Sequence, residues 1–255
     1  MSAPYDSFDY LSYWKGRNFE DNCERCVLKK IFEKQKKKSF LVDIGGGFGR
    51  LASLYSPIFE RCLIIEPSQN LIKIGKDLNK DFKNVEFKQG GLPRLPIKGS
   101  SVDVALMVRV FHHFDDPTEV IKEVSRILKP GGFFVLEFAN KIHFLARLRA
   151  ILRLNFNFSK DLEPIDRRSN KSKKERKILF MGHHPKKITE DLERSNFEIK
   201  EIFSVSNLRN PLIKKIFPGK FLLWVEDSLQ KPMGKLFFGP SIFILAEKKN
   251  LLDKR

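Results

Sequence analysis

The chain has 255 residues, 48 of them basic and 31 acidic, for a formal net charge of +17, and 42% of its residues are apolar. That apolar share can bury a core, which excludes a wholly disordered chain, and no uncharged apolar run reaches the roughly 18 residues of a membrane-spanning helix. Three cysteines cannot build a disulfide framework, and the N-terminus lacks the basic and apolar regions of a secretory leader, so a cytoplasmic location is expected.

Residues 1–38 read as a helical extension or lid, in which Tyr5, Tyr10, Tyr13 and Trp14 precede a helix expected over 18–38. A strand over 39–44 then runs into glycines 45, 46, 47 and 49. A helix follows from Arg50 until Pro57 stops it. Strands are expected over 62–65, 85–87, 102–108 and 133–138, with helices over 71–78 and 118–128 between them. The strand VDVALMV is apolar almost throughout, as a strand covered on both faces should be. Pro130-Gly131-Gly132 reads as a turn. This rhythm of strand and helix predicts a parallel sheet with helices on both faces. A helix over 185–195 and strands over 197–205 and 241–246 complete it, while 207–239 reads as a cap-like insertion broken by prolines. The core therefore spans 39–140 and the C-terminal part 185–255.

Between them lies a basic insertion, 141–184. Residues 141–180 alone hold 12 basic and 4 acidic side chains. The run near 167–177 reads as a mobile loop. A solvated surface explains such a charge excess, and so does a contact with something anionic: a phospholipid face, a phosphorylated substrate or RNA. Ile142, Leu145, Leu148 and Leu152 fall at helical spacing, with Lys141, Arg149 and Arg153 toward another side. PLIKKIFPGKFLLWV, 211–225, sets lysines beside aromatics. Both stretches could cap an apolar pocket or touch an anionic bilayer as a peripheral protein does.

The glycine loop LVDIGGGFGR carries the strongest functional signal, since ligands of open α/β sheets sit beyond the carboxyl ends of the strands. A phosphate-binding P-loop would need Gly-Lys-Ser/Thr, and Gly49-Arg50-Leu51 stands there. A dinucleotide fingerprint would need a glycine where Arg50 stands. What is present is Asp43-x-Gly45-x-Gly47-x-Gly49, and the second strand ends in IIEPS with Glu66 placed to accept hydrogen bonds from both hydroxyls of a ribose.

DIGGGFG followed by IIEPS resembles motif I and its successor in class I S-adenosylmethionine-dependent methyltransferases. GGLPRLPIKGSSVDVALMVRVFHHFDDP is similar to the family's segment from the adenine loop through strand four, and LKPGGFFVLEF to its Pro-Gly-Gly turn and strand five. The likeness covers about residues 39–139, more weakly 185–248, and is nearest to the small-molecule subgroup that includes quinone C-methyltransferases. It implies a Rossmann-like fold: a seven-stranded, mostly parallel sheet with the last strand antiparallel. It implies S-adenosyl-L-methionine as cofactor. Asp43, Gly45, Gly47 and Gly49 would cradle its methionine and ribose, Glu66 would hold the ribose hydroxyls, and Pro67 and Ser68 would lie against the adenine. Gly91 and Leu92 would line the other adenine face, and Val108 and Arg109 the pocket floor. Tyr13 and Arg17 would close over the cofactor from the N-terminal segment. The family often has Gly-Asp-Ala where Gly90-Gly91-Leu92 stand, so a carboxylate that meets the adenine amino group is missing at Gly91, and either cofactor binding would be weaker or a backbone carbonyl would substitute.

His112 and His113 are candidate general bases, because imidazole titrates near neutrality; the alternative is that they pack and orient their loop. Cys23 and Cys26 form one C-x-x-C, but a structural zinc site wants four ligands, so no metal is expected. The expected acceptor is a small or lipid-like molecule. An RNA acceptor is the alternative that +17 suggests, weakened by the lack of an RNA-binding module and by VRVFHH where an Asn-Pro-Pro-Tyr-like motif would stand. A non-catalytic binding protein on the same fold is the third reading.

Overall fold

A computed structural model describes residues 10–35, 39–175 and 178–250. Tyr5, the end of the first expected helix at 36–38, and two residues of the basic run, 176–177, lie outside the described residues. In chain order the elements are α1 (Tyr10–Trp14), α2 (Asn18–Glu33), β1 (Phe40–Ile44), α3 (Ala52–Tyr55), β2 (Arg61–Glu66), α4 (Gln69–Leu78), β3 (Val85–Gln89) and β4 (Val102–Met107). They continue with α5 (Thr118–Ile127), β5 (Leu128–Ala139), α6 (Phe144–Leu152), β6 (Ile165–Asp166), α7 (Asn170–Lys174), β7 (Met181–Gly182), α8 (Pro185–Arg194), β8 (Phe197–Val205), α9 (Pro211–Ile216), α10 (Gly219–Gly234) and β9 (Ser241–Lys248).

Seven strands form one sheet in the order β3-β2-β1-β4-β5-β9-β8. Strands β1 to β5 run parallel to one another, and β9 runs antiparallel to both β5 and β8. This is the architecture expected from the alternation of elements. The period-two alternation of strands divides the core into two layers. Val104, Leu106 and Val108 face α2 and α3, with Val27, Ile31 and Phe32, while Ala105 and Met107 face the other way, onto Ile121, Val124 and Leu192 of α5 and α8.

Three local expectations differ from the structure. The Pro-Gly-Gly segment is not a separate turn but lies inside β5, where Leu128 pairs with Val102 and the register then shifts. A Cβ at Gly132 would stand 2.9 Å from the Lys129 carbonyl, so the irregular strand needs glycine there. The basic run holds a short helix, α7, whose first turn is capped by Ser169 accepting from the Ser172 N–H. The prolines of the cap-like insertion help to frame helices: Pro211 begins α9 behind an Asn210 cap, and Pro218 precedes α10.

The parallel arrangement puts the carboxyl ends of β1, β2, β4 and β5 along one edge. Ala139 and Val205 both pair with Ser241, so β8 ends on that edge as well. The glycine loop, Glu66, Arg109 and the starts of α6 and α9 therefore share one rim of the sheet.

Candidate active site

Gly45, Gly47 and Gly49 all have positive φ, between 57° and 75°, a region open to glycine at no steric cost. At Gly45 a Cβ would also run into the Val110 side chain at 2.4 Å. The loop is tied to the end of β2 by the Glu66 carboxylate. Gly47 N–H donates to Glu66 Oε2 at 3.1 Å and Ser68 N–H donates to Oε1 at 2.9 Å. These two bonds orient a buried carboxylate against the outer turn of the loop.

Asp43, two residues before the first glycine, is fully enclosed. Tyr55 Oη donates to its Oδ2 at 3.2 Å, and a Cβ on Gly46 would stand 2.6 Å from that oxygen. Burial raises the Asp43 carboxyl to about 7, against the Tyr55 hydrogen bond and the Arg50 charge that lower it.

Helix α1 packs across the loop. The Tyr10 ring lies 3.3 Å from where a Gly47 Cβ would be, stacks on Tyr13 at 5.8 Å and meets Phe48 edge-on. Beneath α1 the Arg50 and Arg109 guanidiniums sit over the Trp14 ring at 3.8 and 4.7 Å. Both arginines converge on Glu24 of α2, which is 1% exposed: Arg50 Nη2 reaches Oε2 at 2.6 Å and Arg109 Nε reaches Oε1 at 2.7 Å. Arg50 also pairs with Asp21. Arg109 Nη1 points to Tyr13 Oη at 3.4 Å, and Arg109 N–H donates to Glu137.

Across the loop from Glu66, Pro67 and Gly91 face each other, with the Pro67 Cβ 3.7 Å from a Gly91 Cβ position. Gly90 N–H donates to the Glu66 carbonyl. The Ser68 hydroxyl is turned inward to cap α4, accepting from the Leu71 N–H.

After β4, His112 and His113 lie in one helical turn, Phe111–His113, with ring centroids 4.1 Å apart. His112 packs on Phe180, and His113 Nδ1 is 2.9 Å from the Leu179 carbonyl. A carbonyl only accepts, so the neutral His113 ring carries its proton on Nδ1. Burial, with His113 and Arg109 adding to it, holds His112 well below the ordinary imidazole range. Burial also lowers His113.

Residues 42–136 match the family of methyltransferase domains. The core is a class I S-adenosylmethionine-dependent methyltransferase domain. The uncharacterized methyltransferase YcgJ of Bacillus subtilis is 32% identical over 98 residues, 38% of this chain and 39% of YcgJ. The ubiquinone/menaquinone biosynthesis C-methyltransferase UbiE of Rubrivivax gelatinosus is 28% identical over 106 residues, 41% of each chain. The chain thus spans about two fifths of the length of these relatives. Among solved structures, a methyltransferase of Thermotoga maritima, titled a possible histamine N-methyltransferase, superposes with a TM-score of 0.65 at 22% identity, over 96% of this chain and 99% of that one. The crystal structure of YcgJ superposes at 0.56 with 18% identity, over 89% and 99%. These likenesses extend the methyltransferase fold over nearly the whole chain.

The family and fold imply S-adenosyl-L-methionine as cofactor, and the site fits it. The positive-φ glycines leave bare backbone for close approach, and a carboxylate stands at the end of the next strand, where hydroxyl donors would be held. The methyltransferase domain brings Asp43, the three glycines, Glu66, Pro67, Gly91 and Arg109 to one rim, and α1 sets Tyr13 against it. Val108 is buried beneath them, Leu92 packs against the core, and Arg17 lies over the outer face of Tyr13 at 4.1 Å. The sequence singled out neither Glu24 nor the Arg50 side chain as part of the site. The acid-rich first turn of α2 was the available signal, but only the fold sets Glu24 between two arginines. Cys23 and Cys26 lie on α2, Cys23 buried, and no group of three or more His, Cys, Asp or Glu side chains able to hold a metal occurs among the described residues.

Proposed function

We propose that this chain transfers a methyl group from S-adenosyl-L-methionine to a small or lipid-like acceptor. The observation that carries this reading is the Glu66 carboxylate, oriented by the Gly47 and Ser68 N–H groups at the lip of a positive-φ glycine turn. The cofactor supplies an activated methyl on a sulfonium, and the protein's task is alignment and exclusion of water. Glu66 binds the ribose hydroxyls, the glycine loop passes beneath the methionine part, and Pro67 with Gly91 flanks the adenine. Helix α1 is the lid, with Tyr13 and Arg109 closing the side that faces the acceptor. His112 and His113 fasten the rim after β4 to residues 179–180 of the insertion, a positioning role consistent with two neutral, buried rings.

The matches to UbiE enzymes favour a quinone-like acceptor. The charge of +17 is the feature that favours an RNA acceptor. Calorimetric titration with S-adenosylhomocysteine tests the cofactor site, and no binding at millimolar ligand leaves a non-catalytic protein on this fold. Transfer of radiolabelled methyl groups to a total lipid extract but not to bulk RNA supports the lipid-like acceptor; the reverse pattern refutes it.

A further inference from the structure

We propose that the helices leaving the carboxyl edge of β5 and β8 form a docking face for an anionic phospholipid bilayer. These helices are α6 with the segment after it, and α9 with the first turns of α10. On the first, Leu152 and Leu154 are 75% and 76% exposed, joined by Phe156 and Ile151; on the second, Ile216 and Trp224 are 72% and 67% exposed, joined by Leu212 and Phe221. Isolated apolar side chains on a surface are ordinary, but two runs of large ones on helices that leave one rim of the sheet mark a contact site.

The two regions leave the sheet at one rim, where Ala139 and Val205 both pair with Ser241; Arg147 Nη2 and Phe144 of α6 reach the Leu236 carbonyl and the Phe238 ring, which follow the far end of α10. Arg149 of α6 and Arg209, two residues before α9, both act on Arg167. With burial as the larger cause, they lower its pKa. Burial and the same arginines press His143, at the start of α6, down to about 4.

Charge decides the occupant. Residues 141–160 hold five basic side chains and no acidic one, and residues 205–225 hold four and none. Arg149, Arg153, Arg209, Lys215 and Lys220 are exposed and make no ion pair among the described residues. A second copy would bring the same positive face against this one and be repelled. An anionic bilayer supplies phosphates for the arginines and lysines and hydrocarbon for the leucines, with Trp224 suited to the interface between them. No helix of the described residues is long and apolar enough to cross a membrane, so the contact is peripheral. Because this face rises from the rim that carries Arg109 and the glycine loop, docking would open the site toward an acceptor dissolved in lipid. That last consequence rests on the proposed methyl transfer; the docking does not.

The test is flotation of the full chain, without cofactor, on phosphatidylcholine vesicles with and without phosphatidylglycerol. The expected result is at least tenfold stronger partitioning onto the anionic vesicles, falling when salt rises from about 0.1 M to about 1 M and the screening length shrinks from roughly 10 to 3 Å. Lys215→Ala and Lys220→Ala should each weaken binding about fivefold. The double variant Leu152→Glu/Leu154→Glu should lose it, while Leu78→Glu, on an exposed leucine of α4, should not. Circular dichroism confirms that each variant is folded. Equal binding to neutral and anionic vesicles, undiminished binding by the double variant, or an equal loss in Leu78→Glu overturns the proposal. So does salt-sensitive retention of bulk RNA, or dimerisation abolished by the double variant, in a chain that ignores vesicles. Vesicle binding with no affinity for S-adenosylhomocysteine would sink the methyl-transfer reading and leave the docking face standing.

Discussion

Replacing Glu66 by Gln separates what the carboxylate does for the fold from what it does for the cofactor. In the native chain both oxygens accept a backbone N–H, from Gly47 at 3.1 Å and Ser68 at 2.9 Å, in a side chain that is 4% exposed. Glutamine keeps one acceptor and turns an NH2 group toward the other N–H. One buried donor is then unsatisfied, at about 1–3 kcal/mol, and the surviving bond loses its charge assistance, about 1 kcal/mol more. The unfolding free energy should fall by about 2–4 kcal/mol. Cofactor affinity should fall separately, because a charge-assisted pair with the ribose hydroxyls is worth about 1–3 kcal/mol, or roughly 5- to 150-fold in Kd. Denaturant unfolding reads the first quantity and calorimetry with S-adenosylhomocysteine the second. Arg50→Ala is the control: it loses its pairs with Glu24 and Asp21, so stability should fall by a comparable amount while Kd stays within about threefold. If Glu66→Gln leaves Kd unchanged while Arg50→Ala weakens it, the ribose does not lie against Glu66.

Asp43→Asn should become stabilising as pH rises. The native carboxyl is raised to about 7 by burial, so the folded state holds a proton that the unfolded chain releases near its ordinary value of 3.8. The contribution of Asp43 to stability is therefore complete below about pH 4 and is lost as pH rises to about 7; three units correspond to about 4 kcal/mol. The Tm difference between variant and native chain should grow over that window, and a flat difference would contradict the burial argument. Glu24→Gln leaves two arginines facing a neutral amide and should cost about 3–5 kcal/mol in denaturant unfolding; a loss below 1 kcal/mol would mean the network is solvated. His113→Gln retains a donor for the Leu179 carbonyl and should hold kcat within about threefold, whereas loss of a general base would lower it by about 10²–10⁴.

The glycine-loop half of the candidate site was legible because its backbone geometry is local. A positive-φ loop demands glycine, an acid at a strand end is visible in IIEPS, and the alternation of apolar strands and amphipathic helices orders the sheet. The packing of α1 was legible only as a cluster of aromatics, since stacking of Tyr10 over Gly47 is a contact between distant segments. Prolines misled where their position in a helix decides their meaning. Pro211 sits at a first helical position, where its missing N–H has no partner to lose, whereas Pro232 lies inside α10, which runs on to Gly234. In β5, Pro130 and two glycines read as a turn because nothing local reveals that β4 pairs on both sides of them, Val102 with Leu128 and Val104 with Phe133.

The two arginines at Glu24 show why the remainder could not be read. Arg50 and Arg109 are 59 residues apart and belong to different loops, yet each ends on one buried carboxylate and each lies over Trp14. That arrangement couples α1 to the loops after β1 and β4. Helix α1 has no buried residue and rests on aromatic contacts and cation–π pairs whose arginines are fixed by α2. The network therefore fixes where α1 lies against the glycine loop. Loosening Glu24 should accordingly free α1 before it unfolds the sheet, with cleavage at α1 by a protease preceding the cooperative transition.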